Sequence, residues 1–493
     1  MAVPAAVPCR NSRRLTNPDP SNLKEYAETA DHRGRVIGGL FISIVSGACL
    51  RSPLRSSPTD VVIVGAGAAG LSALEELDRA GCKVICIEAR ERIGGRILTF
   101  RDAFSPVRVE LGAEFIHGRP PEIWDILHSG RLAAYDCAEN AVYIENGAVQ
   151  HHGDAWALVG RVMDDMQRRA AKHKDRSFSS FLDESKHPEN AKRLAAAYVE
   201  GFNAARKEVI GIASLAEDAR AADQIDGNRS FRLLNGYDSL MLHLLDGVND
   251  AQRKLRLNSI VKNIHWKRGS ARVEICSALT GNLETVRSRR VVITVALGVL
   301  QADTNAAGAI GFHPEPESTL RAARELRFGQ VIRIVLRFRE AFWEDTDEIS
   351  DAGFLLSNEK FFPTWWTTLP VRVPILTGWS AGPHADGLLD QPLAEILIHA
   401  IADLARITGS TPDKLNSLLE ATYFHDWHGD PFARGAYSYV PASAMNARKT
   451  LAEPVERTLY FAGEATELNG HSATVHGAIA TGKRVARQIL EGL

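Results

Sequence analysis

The chain has 493 residues, 45% of them hydrophobic, enough to bury a sizeable core and to form two or three domains. A formal net charge of −2 and a pI near 6.8 give no electrostatic drive toward nucleic acid or an anionic membrane, so small molecules are the default partners. The six cysteines (Cys9, Cys49, Cys82, Cys86, Cys137 and Cys276) are scattered, with no CxxC pair and no interleaved histidine at metal spacing. Buried thiols are expected, and no metal.

Residues 1–57 differ in character from the remainder of the chain. "HRGRVIGGLFISIVSGACL" sets Arg33 and Arg35 before an apolar run that resembles a signal peptide. The run falls short of the roughly 20 residues a membrane helix needs, and it begins far from Met1 for a secretory leader. Arg13 and Arg14 suggest a twin-arginine signal, but Asp19, Glu25, Glu28 and Asp31 separate the pair from the apolar run. The segment is read as non-catalytic. Cytoplasmic placement is favoured, and export through it stays open.

"TDVVIVGAGAAGLSALEELDRAGCKVICIEAR" then reads as strand, tight turn, helix and strand. Gly65 permits the turn, Gly67 lets the backbone approach a pyrophosphate at a helix N-terminus, and Gly70 lets helix and strand pack closely. Glu88 falls at the end of the second strand, where a carboxylate accepts ribose hydroxyls. A lone GxGxxG is weak, but its strand, helix and acidic context specify a dinucleotide site. The acidic residue disfavours NADP, which leaves FAD and NAD.

The next strings separate these two. "EARERIGGRILTF" places Ala89, Arg90, Arg92 and Arg96 around Gly94 and Gly95, and "ELGAEFIHG" comes after it with Gly112, Ala113, Glu114, Phe115 and His117. Together they resemble the flavin amine oxidase superfamily of monoamine, polyamine and L-amino acid oxidases and flavin-dependent lysine demethylases. The similarity runs from about Asp60 to Leu493. It implies FAD, an α/β fold with a discontinuous Rossmann-like FAD domain, and an α+β substrate domain. The nearest likeness is to polyamine oxidases and demethylases. No Cys stands where monoamine oxidases tether their flavin, so the FAD is expected to be non-covalent.

Along the rest of the chain the resemblance assigns residues 58–134, 235–305 and 421–493 to the FAD domain, and 135–234 and 306–420 to the substrate domain. The first substrate segment shows helical periodicity, and its Glu217, Asp218, Asp223 and Asp226 are candidates for holding a distal ammonium, against the plainer reading of a solvated face. Val261 corresponds to the segment that reads the adenine through its backbone. In "LRFGQVIRIVLRF", Arg333 replaces the lysine that holds a water near the flavin in this family. Arginine keeps the charge but has a wider, planar head. Ala296 replaces a common proline.

"FHDWHGDPFARGAYSYV" is expected to wall the amine path, with Trp427 and Tyr437 facing substrate, Phe432 and Tyr439 packing, and Arg434 anchoring the loop. In "TLYFAGEATELNGHSATVHGAIATGKRVARQIL", Glu464 is expected at the ribityl and phosphate region, and Ala473, Thr474 and Val475 under the flavin ring. From Thr474 onward an amphipathic helix is expected. Arg333, Tyr437, Thr474, Trp427 and His117 are the candidate catalytic residues. His471 is placed at the cavity entrance, and His476 is read as structural. The implied reaction is hydride transfer from an amine α-carbon to the flavin, with O2 reduced to hydrogen peroxide. A polyamine or another bulky amine is the expected substrate. A dehydrogenase using another acceptor is the alternative, and the oligomeric state stays open.

Overall fold

The computed structural model describes residues 59–145, 147–150 and 155–492; the signal-like segment, Cys9 and Cys49 lie outside them. The strand Thr59–Val64 pairs in parallel with Val84–Ile87 on one side and with Leu283–Ile293 on the other. Val61, Val62 and Ile63 are fully buried. Such a strand reads as a continuous apolar run because both of its faces are covered.

Leu459–Phe461 joins the same sheet in parallel, with Val292 opposite Tyr460. An antiparallel ribbon, Ser259–Lys267 with Ser270–Ser277, continues it through Leu283–Ile293. One sheet thus gathers strands from both ends of the described chain. On its face the helix Ala68–Arg79 lies against the C-terminal helix Val475–Leu490, where Ser72 donates to the carbonyl of Ile479. The two backbones run so close that a Cβ at Gly482 would sit 2.2 Å from the carbonyl oxygen of Ala69.

A second, seven-stranded sheet centres on Val331–Phe338, antiparallel to Ile375–Ala381 and Leu419–Phe424. It has its own aromatic core around Phe338, Trp343, Phe362 and Trp365. Four helices, Ala155–Ala170, Phe178–Glu184, Glu189–Asn203 and Ile212–Asp223, form a further cluster. The architecture is mixed α/β with parallel strands, as expected. The segment read as helical also carries Ala141–Glu145 and Ala148–Gln150, which extend the second sheet. Short strands of this kind add too few period-2 positions to stand out beside long helices.

Among the described residues no helix is long and apolar enough to cross a membrane. Cys86 and Cys137 are buried thiols, whereas Cys82 and Cys276 are only partly covered.

Candidate active site

A cavity of about 1640 Å³ opens between the two sheets and the helical cluster. Its first end is built by glycines. Gly65 has φ +103°, and a Cβ there would meet the Thr294 hydroxyl at 2.7 Å. At Gly70 a Cβ would lie 1.9 Å from the carbonyl oxygen of Gly65, so strand and helix could not pack with any side chain there. Gly67 precedes the helix Ala68–Arg79, which no side chain caps, and a Cβ on it would meet nothing nearer than 3.9 Å. The free N–H groups of that helix end therefore face open space suited to a phosphate.

Glu88 is buried, and its carboxylate accepts from the N–H of Ala66 at 2.8 Å and of Arg90 at 2.9 Å. These bonds fix its direction and leave lone pairs for ribose hydroxyls. Ala89, Gly112, Ala113, Glu114, Phe115, Val261, Ala473 and Val475 line the same cavity. Gly463, with φ +129°, has open space where a Cβ would stand. A dinucleotide cofactor fits this donor set: an uncapped helix end, a held carboxylate and glycine cradles.

Charged side chains beside this end clasp one another. Arg90 makes two bonds to Asp430, at 2.8 and 2.7 Å, and lies over the Phe432 ring. Arg96 donates to Glu464 at 2.9 Å and to the carbonyl of Ala436 at 2.6 Å. Glu464 also accepts from Ser438 and from the N–H of Ala473. The two ion pairs, Arg90–Asp430 and Arg96–Glu464, join segments 340 or more residues apart in the chain.

The other end of the cavity is aromatic. Phe115, His117, Tyr198, Phe202, Trp366 and Tyr437 all line it. The Tyr437 hydroxyl donates to the Phe202 carbonyl at 2.7 Å, and burial pushes its ionisation up. Burial also holds His117 down to about 4, so it is a neutral ring at pH 7.

Arg333 enters from the second sheet. It is 5% exposed, donates to the Gly112 carbonyl at 2.8 Å and to Glu114, and sits over Trp366. Arg232 pairs with the other oxygen of Glu114. Burial raises the Glu114 carboxyl, but the two arginines outweigh that and hold it below its ordinary range. The triad carries one net positive charge inside the protein, and Arg333 Nε has no hydrogen-bond partner there.

Several expected placements change in detail. The Thr474 hydroxyl is occupied as a helix cap: it accepts from the N–H of Gly477 at 3.0 Å and donates to the His471 carbonyl at 2.7 Å. The expected helix begins one residue later, at Val475. Trp427 lines the cavity but is 5% exposed, with Nε1 donating to the Leu111 carbonyl at 2.7 Å. Phe432 and Tyr439, expected only to pack, also reach the cavity wall. Arg434 does hold its loop, through the Ala307 carbonyl at 2.6 Å.

His476 and His471 both line the cavity with ring centres 4.9 Å apart, and His476 Nε2 has no partner. Of the four acidic candidates, Glu217 pairs with Arg448 at 2.8 Å, and Asp223 and Asp226 face solvent. Asp218 lines the cavity, and burial raises its carboxyl to about 7 despite the Arg448 charge. The sequence reading missed Tyr198, Phe202 and Trp366. Tyr198 and Phe202 did leave a signal, since they stand four apart in a helical segment.

A model of the flavin containing amine oxidoreductase family matches residues 68–490, and the chain belongs to that family. FAD is the cofactor this implies, and the protein is a flavin-dependent oxidoreductase. The chain is 26% identical to lysine-specific histone demethylase 1 homolog 3 of Arabidopsis thaliana over 87% of its own length, yet it spans only 30% of that relative. It is 26% identical to polyamine oxidase 3 of Oryza sativa subsp. japonica, covering 88% of this chain and 90% of the other. A solved putrescine oxidase with bound putrescine has the same fold, with a TM-score of 0.74 at 20% identity, covering 88% of this chain and 99% of that one.

Proposed function

We propose that the protein is an FAD-dependent amine oxidase acting on a bulky or extended amine, with its FAD unit assembled from residues 58–134, 235–305 and 421–493. The observation that carries this reading is the continuous cavity joining the glycine cradle of Gly65, Gly67 and Glu88 to the aromatic wall at Tyr437 and Phe115. Bound FAD, held without a covalent tether, supplies the acceptor for a hydride from the amine α-carbon; the imine then hydrolyses, and O2 takes up the electrons as hydrogen peroxide.

The chain's residues set the conditions for that transfer. Aromatic walls exclude water and offer π faces to the amine nitrogen. His117 stays neutral at pH 7, so it adds no cation to the one net positive charge of the Glu114 triad. Arg333 and Glu114 fix the floor between Gly112 and Trp366. Gly67, Glu88 and Val261 are assigned to the cofactor's adenosine diphosphate half, and Glu464, Ala473, Thr474 and Val475 to its flavin half.

The test is anaerobic bleaching of the flavin by monoamines, polyamines, amino acids and methyl-lysine peptides, followed by admission of air with peroxide detection. Bleaching by an amine and peroxide on reoxidation are the expected results; failure of every amine to bleach the flavin sinks the reading. One observation favours a second acceptor: Arg333, which by resemblance takes the family's lysine position, has both terminal nitrogens bonded to Gly112 and Glu114 and only Nε left over. Reduction by an amine without peroxide establishes that dehydrogenase reading instead. Arg333→Lys is expected to speed reoxidation by O2 with little change in reduction.

A further inference from the structure

Six rings of the cavity wall form a continuous strip. Trp156, half exposed at the outer end, meets Tyr198 edge-on at 5.9 Å between ring centres. Tyr198 stacks on Phe202 at 5.6 Å, and Phe202 meets His117 at 5.6 Å. His117 stands 6.0 Å from Phe115, which meets Trp366 at 5.5 Å, directly beneath the Arg333 guanidinium. All six line the same space. The Tyr437 hydroxyl ties the strip to the inner chamber through the Phe202 carbonyl.

Among the described residues the two acidic side chains of this wall that stand without a cationic partner, Glu139 and Glu348, are both exposed to solvent. Of the more enclosed acidic side chains, Glu114 is neutralised by two arginines, whereas Glu139 keeps its charge at the rim, where it accepts the N–H of Ser230 at 2.7 Å. Glu200 pairs with Lys207, Asp218 faces Arg448, and Glu348 is exposed to solvent. At the inner end the Glu114 triad adds one net positive charge. His117, in the middle of the strip, is denied its own proton by burial. A ring face attracts one cation, but a second ammonium held against the rings would be desolvated, because the enclosed carboxylates are already met by arginine and lysine and the unpaired ones stand in solvent.

We propose that this strip is the substrate's docking track and that it selects an amine with one nitrogen charge and a flat apolar body over a polyamine of the same length. This rests on the amine-oxidising reading above. Ring-on-ring contact along the strip holds the body, and the single amine is delivered to the chamber beside Tyr437.

A matched pair tests it on the FAD-loaded protein: 4-phenylbutylamine and 1,4-diaminobutane differ only in a ring or an ammonium at the far end. The ratio of anaerobic flavin-reduction efficiencies is expected to favour the aryl amine about tenfold or more, the scale of one good aromatic contact plus an avoided charge burial. Tyr198→Ala and the solvent-facing Trp156→Ala are expected to pull that ratio toward one, and Tyr198→Phe to restore it. Calorimetric titration with 4-phenylbutyltrimethylammonium and its bis-ammonium analogue, which have no nitrogen lone pair to oxidise, reads the same preference as binding alone. Equal or faster reduction by the diamine overturns the proposal, as does an aryl preference that survives both alanine variants. If no amine at all bleaches the flavin, it is the underlying amine-oxidase reading that falls.

Discussion

The two ends of the cavity are made from opposite materials. The cofactor end is backbone: Gly65, Gly67, Gly70 and Gly463 remove side chains so that carbonyls, N–H groups and helix ends can come close, and the nearby charges are clasped in pairs. The end proposed for the amine is side chain, a wall of rings supplied by the helix Glu189–Asn203, the strand Thr364–Trp366 and the residues around His117. A backbone site tolerates almost no substitution because its shape is the absence of atoms. A ring-lined site tolerates exchange of one ring for another, and so can change substrate without losing the cofactor.

Breaking the cofactor end is expected to have the largest effect. Gly67→Asp puts a negative side chain into the space before the first helix while disturbing no neighbour, since the nearest atom to a Cβ there is 3.9 Å away. The variant is expected to fold but to purify colourless; a yellow protein with stoichiometric FAD would count against the phosphate role of that helix end. Next comes the floor that joins the two ends. Glu114→Gln leaves Arg232 and Arg333 buried without their shared counter-ion. It is expected to cost about 3 kcal/mol of stability in chemical denaturation, the scale for breaking a buried ion pair. A loss under about 1 kcal/mol would show that water replaces the carboxylate.

The smallest effect concerns protons at the amine end. His117 is held at about 4 and His476 at about 3, both below the ordinary histidine range because of burial. The unfolded chain binds these protons first as pH falls, so the stability tied to the neutral rings is complete above pH 6.5 and is lost on the way down through 4. His117→Asn is expected to flatten the acid side of a melting-temperature profile between pH 6.5 and 4. An unchanged profile would mean that His117 titrates as an exposed residue does.

This contrast also explains what could be read from the sequence. The glycine cradle was legible because its parts fall within one short stretch at fixed spacing, and each glycine has a steric reason for its place. Glu464 and the C-terminal helix were legible through resemblance and periodicity. The aromatic strip was legible only at Phe115 and His117, which share one motif; Trp156, Tyr198, Phe202 and Trp366 come from other segments, and of these only Tyr198 and Phe202 stand at helical spacing. The commitment of the Thr474 hydroxyl to capping was also hidden, since a threonine before a helix and a threonine facing a substrate look alike in sequence. The same holds for Arg333, whose ion pairing with Glu114 spans 219 residues.

The packing of the C-terminal helix on the first one has a further consequence, in time rather than in space. The bond from Ser72 to Ile479 joins residues 407 apart, and Leu459–Phe461 must slot into the sheet beside Leu283–Ile293. During synthesis, when N-terminal units fold first, the glycine turn therefore emerges long before its partners and waits with an apolar helix face uncovered. The cofactor pocket can close only after the helix Val475–Leu490 has been made. Until then the apolar face of Ala68–Arg79 that packs on it lacks its cover, the kind of surface that makes an incomplete fold prone to aggregate.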